Sequence, residues 1–122
     1  MEKRIYIFDD DADILELCRI LLTHKGYTVF TCNECNDIVA EVLDKKPGVV
    51  IMDNKIPDIG GIKAVRLLKA DERTRDVPVI FFSANTNVKE LSEEAGADLH
   101  LQKPFDITEL ENLVGGVFQT VK

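Results

Sequence analysis

The chain has 122 residues, 45% of them apolar, and a net charge of −7. That length suits one domain on one core, and the negative balance argues against direct nucleic-acid binding, which rests on phosphate neutralisation by Lys and Arg. No apolar stretch approaches the ~20 residues of a membrane span, and Met1-Glu2-Lys3-Arg4 runs into a short apolar segment and then Asp9-Asp10-Asp11, which is no signal peptide; no membrane insertion and a cytoplasmic setting are expected.

Ile5-Tyr6-Ile7-Phe8 reads as the first strand. A first helix follows over about Ala12 to Lys25, with Ile14, Leu17, Cys18 and Leu21 on one face and Gly26 as its stop. His24, near its end, suits the helix dipole. Tyr27 to Thr31 is the second strand, centred on Val29, and Asn36 to Lys45 the second helix, burying Ile38, Val39, Val42 and Leu43. Pro47-Gly48 turns the chain into a third strand, Val49-Val50-Ile51-Met52. The third helix spans about Gly61 to Ala70, with Ile62, Val65 and Leu68 inward. Pro78 opens a fourth strand, Val79-Ile80-Phe81-Phe82. The fourth helix, about Thr86 to Ala95, is anchored mainly by Val88 and Leu91 and is expected to be mobile. Leu99-His100-Leu101-Gln102 is the fifth strand. A fifth helix over Ile107 to Thr120 shows Leu110, Leu113, Val114, Val117 and Phe118 at amphipathic spacing, with Gly115-Gly116 expected to weaken or bend it.

Alternating strands and helices with short connections imply an α/β fold with a doubly wound parallel sheet. Short apolar runs suit strands covered on both faces. In such sheets the ligand site lies beyond the carboxyl ends of the strands. The first strand ends in Asp9-Asp10-Asp11, the third in Asp53, the fourth in Ser83 and the fifth in Lys103-Pro104. Three converging carboxylates are costly without a cation, since one pair ~4 Å apart repels by about 4 kcal/mol at an effective dielectric of 20. Mg²⁺ is hard, prefers oxygen, and is often held by carboxylates together with phosphate oxygens. With a lysine and a hydroxyl added, the groups suit transfer of a phosphoryl group to a carboxylate nucleophile.

Asp9-Asp10, Asp53 with Ile56-Pro57 and Gly60-Gly61, Ser83-Ala84, and Lys103-Pro104-Phe105 resemble the receiver domain of two-component response regulators, in a stand-alone form like the chemotaxis regulators. The resemblance covers essentially the whole chain as one receiver domain, residues 1–122, and no output domain is expected to follow. It implies a flavodoxin-like sheet of five strands in order 2-1-3-4-5 with five helices, and a cis peptide before Pro104. It implies that Asp53 is the phosphoacceptor. It implies that Asp9, Asp10, Asp53 and the backbone carbonyl of Lys55 hold Mg²⁺, and that Ser83 and Lys103 contact the phosphoryl group. Lys55 and Asn85 then flank the path of the hydrolytic water, and Ser83 and His100 take the switch positions. The implied donor is a sensor histidine kinase or a histidine phosphotransfer protein. The implied output is contact of the helix 4, strand 5 and helix 5 face with a downstream protein, including a phosphorylation-dependent homodimer. Such a domain is not an enzyme beyond its own phosphorylation and dephosphorylation. The chain departs from the pattern in having Gly60-Gly61 for Asp-Gly, His100 for an aromatic switch residue, and Ser83 for the commoner Thr. Gly60 is expected to loosen its loop.

Other readings are weaker. Asp9-Asp10-Asp11-Ala12 begins the DxDx(T/V) pattern of haloacid-dehalogenase-type phosphatases, with Asp9 as nucleophile, but Asp13 replaces the Thr or Val. An EF-hand reading of Asp9, Asp11 and Asp13 fails, with Ile14 at the glycine position and Ile20 at the glutamate position. A protein-binding module of the same fold, independent of phosphorylation, is the alternative from another class. Cys32-Asn33-Glu34-Cys35 forms a CxxC, which can signal redox or zinc chemistry, but zinc needs a second ligand pair and none has suitable spacing; redox or metal use is the minor reading, and with Cys18 these are read as ordinary cysteines, reduced in a cytoplasmic setting. Lys63, Arg66, Lys69, Arg73 and Arg75 are read as a solvated basic face.

Overall fold

The computed structural model describes residues 2–57 and 59–120. Five strands, β1 (Arg4–Phe8), β2 (Thr28–Cys32), β3 (Val49–Asp53), β4 (Val79–Ser83) and β5 (Leu99–Gln102), alternate with five helices, α1 (Ala12–His24), α2 (Ile38–Lys45), α3 (Gly61–Ala70), α4 (Val88–Ala95) and α5 (Ile107–Thr120). All strand pairings are parallel, and the sheet order is β2-β1-β3-β4-β5. The order implied by the resemblance is the order found.

The alternation of side chains along each strand splits the core in two. Tyr6, Phe8, Val50, Met52, Val79 and Phe81 face α2, α3 and α4. Ile5, Ile7, Val49, Ile51, Ile80 and Phe82 face α1 and α5. Neighbours such as Phe81 and Phe82 thus bury on opposite faces, each 1% exposed or less. Each such side chain contributes about 1.5–3 kcal/mol by leaving water. This two-sided burial is why the strands read as unbroken apolar runs.

Two expectations are corrected by packing. The buried stripe of α1 is Leu15, Cys18 and Leu22, while Leu17 is 53% exposed and Ile14 and Leu21 are half-buried. Apolar residues lie almost all round this helix, so only its seat on the sheet selects the stripe. Lys69 is not solvated. Its Nζ donates to the Arg75 and Val77 carbonyls (3.1 and 2.8 Å) and to Asp98 Oδ2 (2.7 Å), which also accepts the Val79 amide. This clamp ties the end of α3 to the start of β4. The helix α5 continues through Gly115-Gly116 as one element. The helices α2 and α4 begin two residues later than expected, at Ile38 and Val88.

Candidate functional site

The acidic triplet after β1 divides its work. The Asp9 amide donates to the Cys32 carbonyl at 3.1 Å, one step beyond the β1–β2 ladder. That contact seats the Asp9 side chain inside the protein, where it is 0% exposed. Its Oδ1 accepts the Asp11 amide at 2.9 Å, which fixes the turn. Asp11 caps α1, accepting the amides of Asp13 and Ile14, and such a cap is worth about 1 kcal/mol. Asp10 stays exposed at the rim.

Asp53 is the last residue of β3 and is 4% exposed, and its Oδ2 accepts the Lys55 amide at 3.1 Å. Ser83 ends β4, also buried, and its Oγ accepts the Asn85 amide at 3.1 Å. Lys103 follows β5, with its backbone amide on the Ser83 carbonyl (2.8 Å) and a cis bond to Pro104. Its Nζ spans the pocket, 2.7 Å from Asp9 Oδ2 and 3.0 Å from Asp53 Oδ1. The Phe82 ring lies beneath, 4.6 Å from the ammonium, adding a cation–π attraction.

One carboxylate oxygen from each of Asp9, Asp10 and Asp53 lies within 4.8 Å of the others. Three acids against one lysine leave excess negative charge in a half-closed cleft. Burial pushes the Asp9 carboxyl up to about 6, against the lowering pull of Lys103. Burial raises Asp53 in the same way. For Lys103, burial works against the charged form, but its bonds to Asp9 and Asp53 outweigh this and raise it. The donor set is all hard oxygen, so a small divalent cation fits it.

The structure therefore brings Asp9, Asp10, Asp53 and Lys103 together, with Ser83 at the neighbouring strand end. Lys55 and Asn85 are exposed, and their backbone amides close the turns after Asp53 and Ser83. His100 is an exposed residue of β5, registered with Phe81. Sequence reasoning missed the role of Gly61. A Cβ there would overlap the Asp53 carbonyl and lie 2.8 Å from the Asn54 Cα. Gly60 has φ +81°, a region that favours glycine, so it suits a defined turn there.

Comparison with known proteins gives the same picture. The family model described as the response regulator receiver domain matches residues 5–115. The phosphate regulon transcriptional regulatory protein PhoB of Pseudomonas aeruginosa is 36% identical over 110 residues, 88% of this chain and 48% of that protein. The DNA-binding response regulator MtrA of Mycobacterium tuberculosis is 32% identical over 112 residues, 90% of this chain and 48% of that protein. The chain thus spans about half the length of these relatives. The receiver domain of the sensor histidine kinase PA1611 of Pseudomonas aeruginosa has a TM-score of 0.84 at 26% identity, covering 93% of this chain and 95% of that one, with a magnesium ion coordinated in its active site cleft. The receiver domain of the Francisella response regulator 1452 has a TM-score of 0.88 at 24% identity, covering 99% and 100% of the two chains, a likeness of fold. Receiver domains bind Mg²⁺ in an acidic pocket, and this chain carries such a cluster in Asp9, Asp10 and Asp53. With its sheet order and the match over residues 5–115, the chain belongs to the response regulator receiver domain family, the phosphoacceptor signalling domains of two-component systems.

Proposed function

We propose that Asp53 is the phosphoacceptor of this chain and that residues 1–122 act as one receiver domain. The observation that carries this is the Lys103 ammonium bridging Asp9 Oδ2 and Asp53 Oδ1 inside the acidic cluster. A carboxylate oxygen of Asp53 attacks phosphorus, the bond from phosphorus to the donor histidine nitrogen breaks, and the imidazole keeps the electron pair. Lys103 and Ser83 offer an ammonium and a hydroxyl to the phosphoryl oxygens, matching charge as it moves. Asp9, Asp10, Asp53 and the Lys55 carbonyl are the residues that would hold Mg²⁺, which supplies positive charge for the phosphoryl oxygens.

The donor on this reading is a sensor histidine kinase or a histidine phosphotransfer protein. A shallow apolar depression of about 300 Å³, lined by Ile14, Leu17, Ala84, Lys103, Pro104 and Phe105, adjoins the lysine. Its exposed Leu17 supports donor docking at this rim. The aspartyl phosphate adds about −1.5 to −2 charge and shifts a pre-existing equilibrium of the α4-β5-α5 face, with Ser83 and His100 at the switch positions. Output is contact with a downstream protein, which includes a second copy of the chain. Among the described residues no helix is long and apolar enough to cross a membrane, in keeping with a cytoplasmic site of action.

The test is incubation with acetyl phosphate and Mg²⁺, read by intact mass. Wild type is expected to gain one phosphoryl group and Asp53→Asn none. A phosphoryl gain by Asp53→Asn at the wild-type rate overturns the assignment. Loss in Asp9→Asn alone, with phosphate mapped to Asp9 in wild type, moves the nucleophile there.

A further inference from the structure

The CxxC segment acquires a third member in the folded chain. The Cys32 thiol, half-buried at the end of β2, donates to the Glu34 carbonyl, so it points at the peptide bond leading into Cys35. It also lies 3.9 Å from Glu41 Oε1 on α2. Cys35 is 2% exposed and its thiol adjoins the same carboxylate, as does the Tyr6 phenol. Glu41 Oε2 is buried and makes no hydrogen bond. Two thiols thus converge on one half-buried carboxylate whose Oε2 is shielded from solvent. An open depression of about 360 Å³, lined by Cys32 with Ala12, Glu16, Thr31 and Asn33, gives small molecules access to the outer cysteine.

We propose that Cys32 and Cys35 form an oxidisable dithiol served by Glu41, closed to a disulfide by low-molecular-weight disulfides. Cys32, having lost its proton to water, attacks one sulfur of the small disulfide and expels one thiolate, which takes up that proton from water, leaving a mixed disulfide. Cys35 passes its proton to Glu41 and attacks Cys32 Sγ, expelling the second thiolate, which takes the proton. Two protein thiols are oxidised and one small disulfide becomes two thiols. Burial pushes the Cys35 thiol up to about 12, so a nearby proton acceptor matters most for this second step. Burial also raises Glu41, which makes it a stronger base than an exposed carboxylate. The Cys32 carbonyl holds the Asp9 amide at 3.1 Å. Ring closure at Cys32 therefore acts on the residue that seats Asp9 in the acidic cluster. That consequence rests on the phosphoacceptor reading, whereas the oxidation does not.

The test exposes the protein to mixtures of glutathione and glutathione disulfide and reads intact mass and peptide maps. Wild type is expected to lose two hydrogens, with Cys32 joined to Cys35 and Cys18 free. Cys35→Ser is expected to keep one glutathione on Cys32. Glu41→Gln is expected to slow closure severalfold, seen as transient build-up of the glutathione adduct. A stable adduct on wild-type Cys32, or no reaction in mixtures that oxidise dithiothreitol, overturns the dithiol. Closure by Glu41→Gln at the wild-type rate overturns the role of Glu41. The oxidised and reduced proteins are then compared for Mg²⁺ affinity, with Cys32→Ser/Cys35→Ser as the redox-inert control. A severalfold change confined to wild type is expected, and equal affinities overturn the link to Asp9.

Discussion

Gly61 lies directly against the backbone of Asp53, so that any side chain at its position would meet the carbonyl of the strand-end acid. The contact sets how α3 leaves the loop after β3, and the Gly61 amide also donates to the Asn54 carbonyl at 2.9 Å. Backbone, unlike a flexible side chain, cannot step aside cheaply. Gly61→Ala is expected to destabilise the fold by about 1–3 kcal/mol and to slow phosphorylation. Gly116→Ala is the control, since nothing lies within 4 Å of its Cβ direction. In the middle of a helix that change is expected to stabilise by roughly 0.5–1 kcal/mol. Urea unfolding of both variants checks the contrast.

Removing Lys103 is expected to lower metal-free stability, whereas removing the Asp10 carboxylate is not. Removing the lysine leaves Asp9 and Asp53 buried without their cation, which costs about 3 kcal/mol. Lys103→Met is therefore expected to unfold at lower urea in chelator, and to gain more than wild type from Mg²⁺. Asp10→Ala relieves repulsion at an exposed rim position, so its metal-free stability is expected to match or exceed wild type. Its gain from Mg²⁺ is expected to shrink. Melting temperatures of wild type and both variants, with and without Mg²⁺, give all six values.

The pH dependence of the metal-free protein follows from Asp9. Its carboxyl is pushed up to about 6 in the fold against an ordinary 3.8. The native state therefore binds more protons than the unfolded state between those values, and stability falls as pH rises. The contribution of Asp9 is fully present below about pH 4 and is lost on passing pH 6. Asp53, raised in the same direction by burial, adds to this trend. Asp9→Asn is expected to flatten the curve. Urea midpoints from pH 4 to 7 in chelator, wild type against variant, measure the slope.

Lys55 and Asn85 are exposed side chains on the two turns that follow Asp53 and Ser83. Their alanine variants are expected to become phosphorylated normally while the lifetime of the phosphoryl group shifts severalfold. The effect is positional, on the approach of water, and each 1.36 kcal/mol in that barrier is about tenfold in lifetime. Decay of the phosphorylated protein after donor removal is the measurement. Rates equal to wild type in both variants remove them from the water path.

His100 stands exposed on β5, three residues before the site lysine. If the α4-β5-α5 face rearranges on phosphorylation, the His100 ring is expected to change its surroundings. NMR signals of the ring with and without beryllofluoride check this. Identical spectra remove His100 from the switch.

Sequence and tertiary structure contributed different things here. The order of elements and the strand-end groups Asp9, Asp53, Ser83 and Lys103 were legible because buried parallel strands leave unbroken apolar runs, and whatever ends such a run faces the cleft. Local signals could not resolve choices between near-equivalent neighbours. Asp9, Asp10 and Asp11 are chemically alike, and only the Asp9–Cys32 backbone bond decides that Asp11 caps α1 while Asp9 goes inside. Helix α1 has apolar residues over most of its circumference, and docking on the sheet buries Leu15 and Leu22 in place of Leu17. Lys69 looked like one charge among several until Asp98, far along the chain, came within 2.7 Å of it. Glu41 gained its two cysteines in the same way, through packing of α2 beside the end of β2. In each case the deciding contact joins residues whose proximity no local periodicity encodes.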